Sequence, residues 1–185
     1  MKFLDRKEGA RWAHDVGWVD LEPNPEILSD KFNCLQSYLV PHDSGRKTAL
    51  ARMIANIVSE SKVEGVLWIS NFSPWESSEN RELFYGYRRS LGESRSLHEV
   101  PYHQFGIDDY VALECLLDLV LYFVWDAILI DARNKVAFQF SHDEWFAAAT
   151  YVSQSLDALR RRFEEFQLEP HPHDDYEDDG EESTS

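Results

Sequence analysis

Two cysteines in 185 residues, Cys34 and Cys115, are too few and too far apart for a disulfide framework. Both fall in apolar segments, so the expectation is reduced core thiols in a reducing compartment. Positive charge is scarce as well: 18 Lys and Arg stand against 34 Asp and Glu, a net charge of −16. That balance repels a phosphate backbone, which argues against DNA or RNA as a direct ligand, and it favours basic protein surfaces. Long hydrophobic runs are missing too. The longest, 119–125, is closed by Asp118 and Asp126, and the first eight residues have no apolar signal core. Neither a membrane span nor secretion by a signal peptide is expected, and the expected location is the cytoplasm.

Catalytic signatures are equally sparse. There is no G-x-S-x-G elbow, neither cysteine has a basic neighbour, and no histidine pair shows H-x-x-x-H spacing. Ser44-Gly45-Arg46-Lys47-Thr48 has the flavour of a phosphate loop, but Val40 stands where its first glycine belongs and Arg46 separates Gly45 from Lys47. The stretch reads as a helix start instead. No cofactor, metal or catalytic residue is expected.

What is present is a core. A hydrophobic content of 43%, with 14% aromatic, suffices for one domain over 1–168. Residues 169–185 hold eight carboxylates and no Lys or Arg, and they read as a disordered acidic tail. Half of the sixteen excess negative charges therefore belong to the domain itself.

Apolar spacing sketches an α/β (α+β) fold, a mixed sheet of about four strands with packed helices. An imperfect strand at 31–40 is stopped by Pro41, and Asp43 or Ser44 caps a helix over 47–60 that buries Leu50, Met53, Ile54, Ile57 and Val58. The run Val66-Leu67-Trp68-Ile69 suits a central strand. A polar helix over 74–91 ends at Gly92, and 94–106 reads as a connection around Pro101. A helix starting at Asp108 and Asp109 carries Val111, Leu113, Leu116, Leu117, Val120 and Leu121 and should be largely buried. Strands at 124–130 and 136–140 flank a hairpin loop at 131–135, and a long amphipathic helix from Trp145 to Phe166 closes the domain. An edge strand at 17–21 is a further option.

Three places carry chemistry. Asp126 lies in an apolar strand, where a carboxylate needs backbone amides, an arginine or a partner to offset its burial. Ser141-His142-Asp143-Glu144-Trp145 fits a capping box from Ser141 to Glu144 with Phe140 and Trp145 as its staple, which leaves His142 and Asp143 exposed. Trp75, Glu76 and Glu79 form an aromatic and acidic patch near a helix start.

The blocks Asn80-Arg81-Glu82-Leu83-Phe84, Arg88-Arg89-Ser90-Leu91-Gly92-Glu93, Trp125-Asp126-Ala127-Ile128-Leu129-Ile130 and Phe140-Ser141-His142-Asp143-Glu144-Trp145, within about 72–146, resemble those of small bacterial immunity proteins. Such proteins accompany polymorphic or contact-delivered toxins. The resemblance implies an antitoxin that neutralises a cognate, basic toxin by stoichiometric protein–protein contact, with Trp75, Glu76, Glu79, Asp126, His142, Asp143 and Glu144 as candidate binding residues. Two alternatives share the charge pattern. One is an acidic adaptor or nucleic-acid mimic that inhibits a DNA- or RNA-acting enzyme. The other is a metal-dependent enzyme in which Asp126, Asp143 and Glu144 converge with His103 or His142.

Overall fold

The computed structural model describes residues 1–16, 33–34, 37–60, 62–72, 81–133, 136–150 and 153–172. In chain order the elements are β1 (Lys2–Leu4), α1 (Arg6–Asp15), β2 (Asn33–Cys34), β3 (Tyr38–Leu39), α2 (Ser44–Glu60), β4 (Gly65–Asn71) and α3 (Arg81–Ser90). They continue with β5 (Tyr102–Phe105), α4 (Tyr110–Phe123), β6 (Asp126–Asp131), β7 (Ala137–Phe140), β8 (Trp145–Thr150) and α5 (Ser153–Glu165).

The strands form one sheet in the order β1-β5-β4-β6-β7-β8, and β2 and β3 pair with successive stretches of the outer edge of β8. All of these pairings are antiparallel. The expected mixed sheet of about four strands is thus corrected to a wholly antiparallel sheet of seven lanes. β4 does lie centrally, between β5 and β6, and β6 and β7 form the expected hairpin pair. No helix among the described residues is long and apolar enough to cross a membrane.

Two of the missed strands have physical causes. β5 pairs His103 with Leu67 of β4, so a polar letter occupies a core register and hides the strand after Pro101. β8 contains Ala147-Ala148-Ala149, strong helix formers. Trp145, Ala148 and Val152 also mimic helical spacing. Tertiary packing overrides both: Phe146 enters the core between Phe140 and Phe163, with ring centroids 6.2 and 5.7 Å away. The closing helix therefore starts at Ser153 rather than Trp145, and it buries Leu159 and Phe163.

Pleat alternation divides the core. Leu67, Ile69, Leu129, Phe138 and Phe146 face α2, α4 and α5 in the main cluster. Val66, Ile128, Ile130, Ala137 and Ala149 face the other way, where α1 contributes Ala13 and Trp12. Gly9 lets α1 lie against the Tyr102 ring, since any β-carbon there would collide with it. Helix α2 begins as expected: the Asp43 carboxylate accepts the Arg46 amide at 2.8 Å. On α4 the burial is one-sided. Leu113, Leu116, Leu117, Val120 and Leu121 are buried, but Val111 is 77% exposed and Cys115, expected in the core, is exposed.

Residues 169–171 are attached to the sheet edge. Leu39 donates its amide to the Glu169 carbonyl and His171 donates to the Ser37 carbonyl, both at 2.8 Å.

Candidate functional site

Helix α4 ends abruptly. Val124 adopts a left-handed backbone, φ 55° and ψ 57°, and the Trp125 amide still bonds back to the Val120 carbonyl. The chain is thereby turned into β6, with Trp125 buried and Asp126 at the mouth of the sheet. A register shift between Ile69 and Asn71 of β4 sets Asn71 opposite Asp126.

From the other side comes the turn joining β7 to β8. Its ends are closed by the Ser141 amide donating to the Trp145 carbonyl at 2.9 Å and the Glu144 amide donating to the Ser141 carbonyl at 3.2 Å. Glu144 sits at φ 62°, so the segment is a strand-to-strand turn and the expected capping box does not form. The consequence is positional. The turn carries His142 over Asp126, and Asp126 accepts the His142 amide at 2.7 Å and the imidazole Nδ1 at 2.9 and 3.0 Å. Asn71 Nδ2 donates to the second carboxylate oxygen at 3.0 Å. The backbone-amide explanation for a carboxylate at position 126 is therefore the one realised, with a histidine in place of an arginine.

An ionised carboxylate only accepts hydrogen bonds, so Nδ1 of His142 carries the proton. Hydrogen bonding to Asp126 holds the His142 pKa above the usual histidine range, with the nearby charges of Asp126 and Asp143 adding to it. The outer nitrogen, Nε2, faces Asp143 Oδ1 at 3.6 Å. These groups line a cleft of about 380 Å³ together with Ser70, Ile128, Gln139 and Trp145.

Three expected residues, Asp126, His142 and Asp143, are thus brought together. Glu144 is not among them: its carbonyl accepts the Val40 amide at 2.7 Å and its carboxylate lies 3.8 Å from His42 Nδ1. Trp75, Glu76 and Glu79 lie outside the described residues. Asn71, Gln139 and the cleft-lining role of Trp145 escaped the sequence reading, because strand register sets Asn71 and Gln139 beside β6 and the turn into β8 brings Trp145 to the same cleft. His103, the alternative partner for the carboxylates, is fully buried against Leu67, Phe3 and Phe84 and does not reach them. Among the described residues no group of three or more His, Cys, Asp or Glu is placed to hold a metal.

A second polar knot is buried beneath α3. Arg88 is 0% exposed and donates to the carbonyls of Arg95 and Val100, each at 2.9 Å, with the Phe3 and Phe84 rings against its guanidinium. Glu93 takes a bidentate grip from Arg95, and that hydrogen bonding pulls its carboxyl down to about 2. Burial first, then the charge of Arg88, pushes the His103 imidazole down to about 3, so it is neutral. These groups tie the 91–101 segment to the core.

No protein-family model, curated protein or solved structure matches this chain.

Proposed function

We propose that this chain is an immunity protein, which binds a basic toxin protein one-to-one in the cytoplasm and neutralises it without chemistry of its own. The observation that carries the reading is the acid excess of −16, half of it in the domain, beside a cleft that combines an aromatic ring with outward-facing acceptors. Charge of one sign steers an oppositely charged partner and raises its association rate, while an aromatic anchor supplies affinity at the centre of a contact. The Asp126–His142 pair suits a rigid recognition surface: the carboxylate accepts from three donors, and the imidazole is fixed in direction.

The test is capture followed by rescue. The full chain, and a chain ending at Pro172, serve as baits in a lysate of the source cell, and each retained protein is expressed alone and together with the bait. A basic protein that stops growth alone and is harmless with the chain supports the reading. Retention of proteins with no toxicity of their own, or of none, overturns it.

A further inference from the structure

We propose that the cleft between β6 and the β7–β8 turn receives one arginine side chain of the partner, its guanidinium shared between His142 Nε2 and Asp143 Oδ1 and its plane against the Trp145 ring. The inference rests on the reading of the chain as a binder of a basic protein and names the contact.

Three features of the geometry point to a guanidinium. First, Asp126 fixes the tautomer: with the proton on Nδ1, the neutral imidazole offers a lone pair at Nε2. Second, that lone pair and the exposed Asp143 carboxylate stand 3.6 Å apart, two separate acceptors for the diverging N–H groups of one planar fork. A single ammonium, a point charge with tetrahedral donors, gains less from such a pair. Third, half-buried Trp145 lines the same cleft, and arginine is the cation that both stacks on an indole face and bonds in its own plane. A volume of about 380 Å³ admits a side chain while falling near the lower end for small-molecule sites.

Charge decides the pH dependence. Among the described residues, the titratable groups facing His142 are Asp126 from β6 and Asp143 from its own turn, and Asn71 from β4 brings no charge. With His142 neutral, Asp126, His142 and Asp143 together carry two negative charges; with His142 protonated they carry one, and Nε2 has a proton where an acceptor is needed. Arginine and the proton therefore compete, and binding tightens as pH rises through the elevated His142 value. Asp126 is a positioning residue, since both of its oxygens hold His142 in place and one also holds Asn71.

The probe is the capped tripeptide Gly-Arg-Gly, titrated into the full chain and followed by the Trp145 indole and His142 ring resonances. Capped Gly-Lys-Gly and the uncharged isostere Gly-citrulline-Gly serve as comparisons. Expected are shifts at both residues with millimolar affinity, at least fivefold weaker for citrulline and threefold weaker for lysine, and at least threefold tighter at pH 8 than at pH 6. Asp143→Asn should weaken the arginine peptide at least fivefold, and the distant surface variant Glu82→Gln should leave it unchanged. No shift at His142 and Trp145, equal binding of citrulline or lysine, or an unaltered Asp143→Asn variant overturns the proposal. Capture of a toxin by a chain whose cleft ignores arginine sinks this inference alone, and a cleft that binds arginine in a chain that captures no toxin sinks only the functional reading.

Discussion

His142 gives both its backbone amide and its imidazole to the same carboxylate, that of Asp126, at 2.7 and 2.9 Å, across sixteen residues of sequence. The turn between β7 and β8 is thus pinned to the start of β6, and the ring that borders the cleft has one orientation.

Asp126→Asn removes the charge that holds this arrangement. The His142 pKa should fall back toward the ordinary histidine range, read by NMR titration of its ring protons. Stability should drop by about 1–3 kcal/mol, the scale of losing hydrogen bonds to a charged acceptor. The sign follows from the raised value. The ionic part of the bond is fully present below the ordinary histidine pKa and is lost as pH rises through the higher folded one, so the gap between wild type and variant should narrow on the alkaline side.

His103 works in the opposite direction. Its folded value is about 3, because burial and Arg88 disfavour the charged ring, so the unfolded chain takes up the proton first. Its stabilising share is fully present above about 6.5 and is lost as pH falls toward the folded value. Between pH 7 and pH 5 the loss should be about 2 kcal/mol, and His103→Leu should flatten that limb of the stability curve in denaturant titrations.

Arg88→Lys should cost about 3 kcal/mol, because an ammonium cannot span the carbonyls of Arg95 and Val100 while staying against the rings of Phe3 and Phe84. Thermal unfolding reads the total loss, and faster amide exchange confined to 91–101 would report the released segment. A substitution tolerated without cost would show that the guanidinium bonds contribute nothing net.

Glu144→Gly separates two descriptions of one stretch. At φ 62° a glycine relieves a left-handed strain, so the variant should match wild type or gain about 0.5–1 kcal/mol. Among the described residues, the contact it gives up is exposed, with His42 Nδ1 at 3.8 Å. In a capping box the same change would be destabilising by about 1 kcal/mol. Chemical denaturation decides between them.

The contrast at Glu144 shows what sequence pattern conveys and what it does not. Helix α2, the central strand β4 and the β6–β7 pair were legible because their apolar spacing and their caps, Asp43 above all, agree with the final packing. β8 was not, since three alanines favour a helix, and pairing with β7 together with the packing of Phe146 against Phe140 and Phe163 selects the strand. The same misreading hid the site. With β8 taken as a helix, His142 and Asp143 sat on its first turn, and nothing brought them to Asp126. The need of Asp126 for backbone amides was readable from burial cost alone, but the donor that meets it lies across a turn that local propensity disguised. Asn71 was out of reach for a related reason, because a register shift in β4 decides which residue faces Asp126.

The most direct measurement is an isothermal titration of the full chain against the protein it captures, at about 50 and about 300 mM salt. The account expects one partner per chain and an affinity that weakens clearly at the higher salt, as steering between opposite charges requires. A lack of binding heat, salt-independent affinity, or conversion of the captured molecule to a product would contradict it.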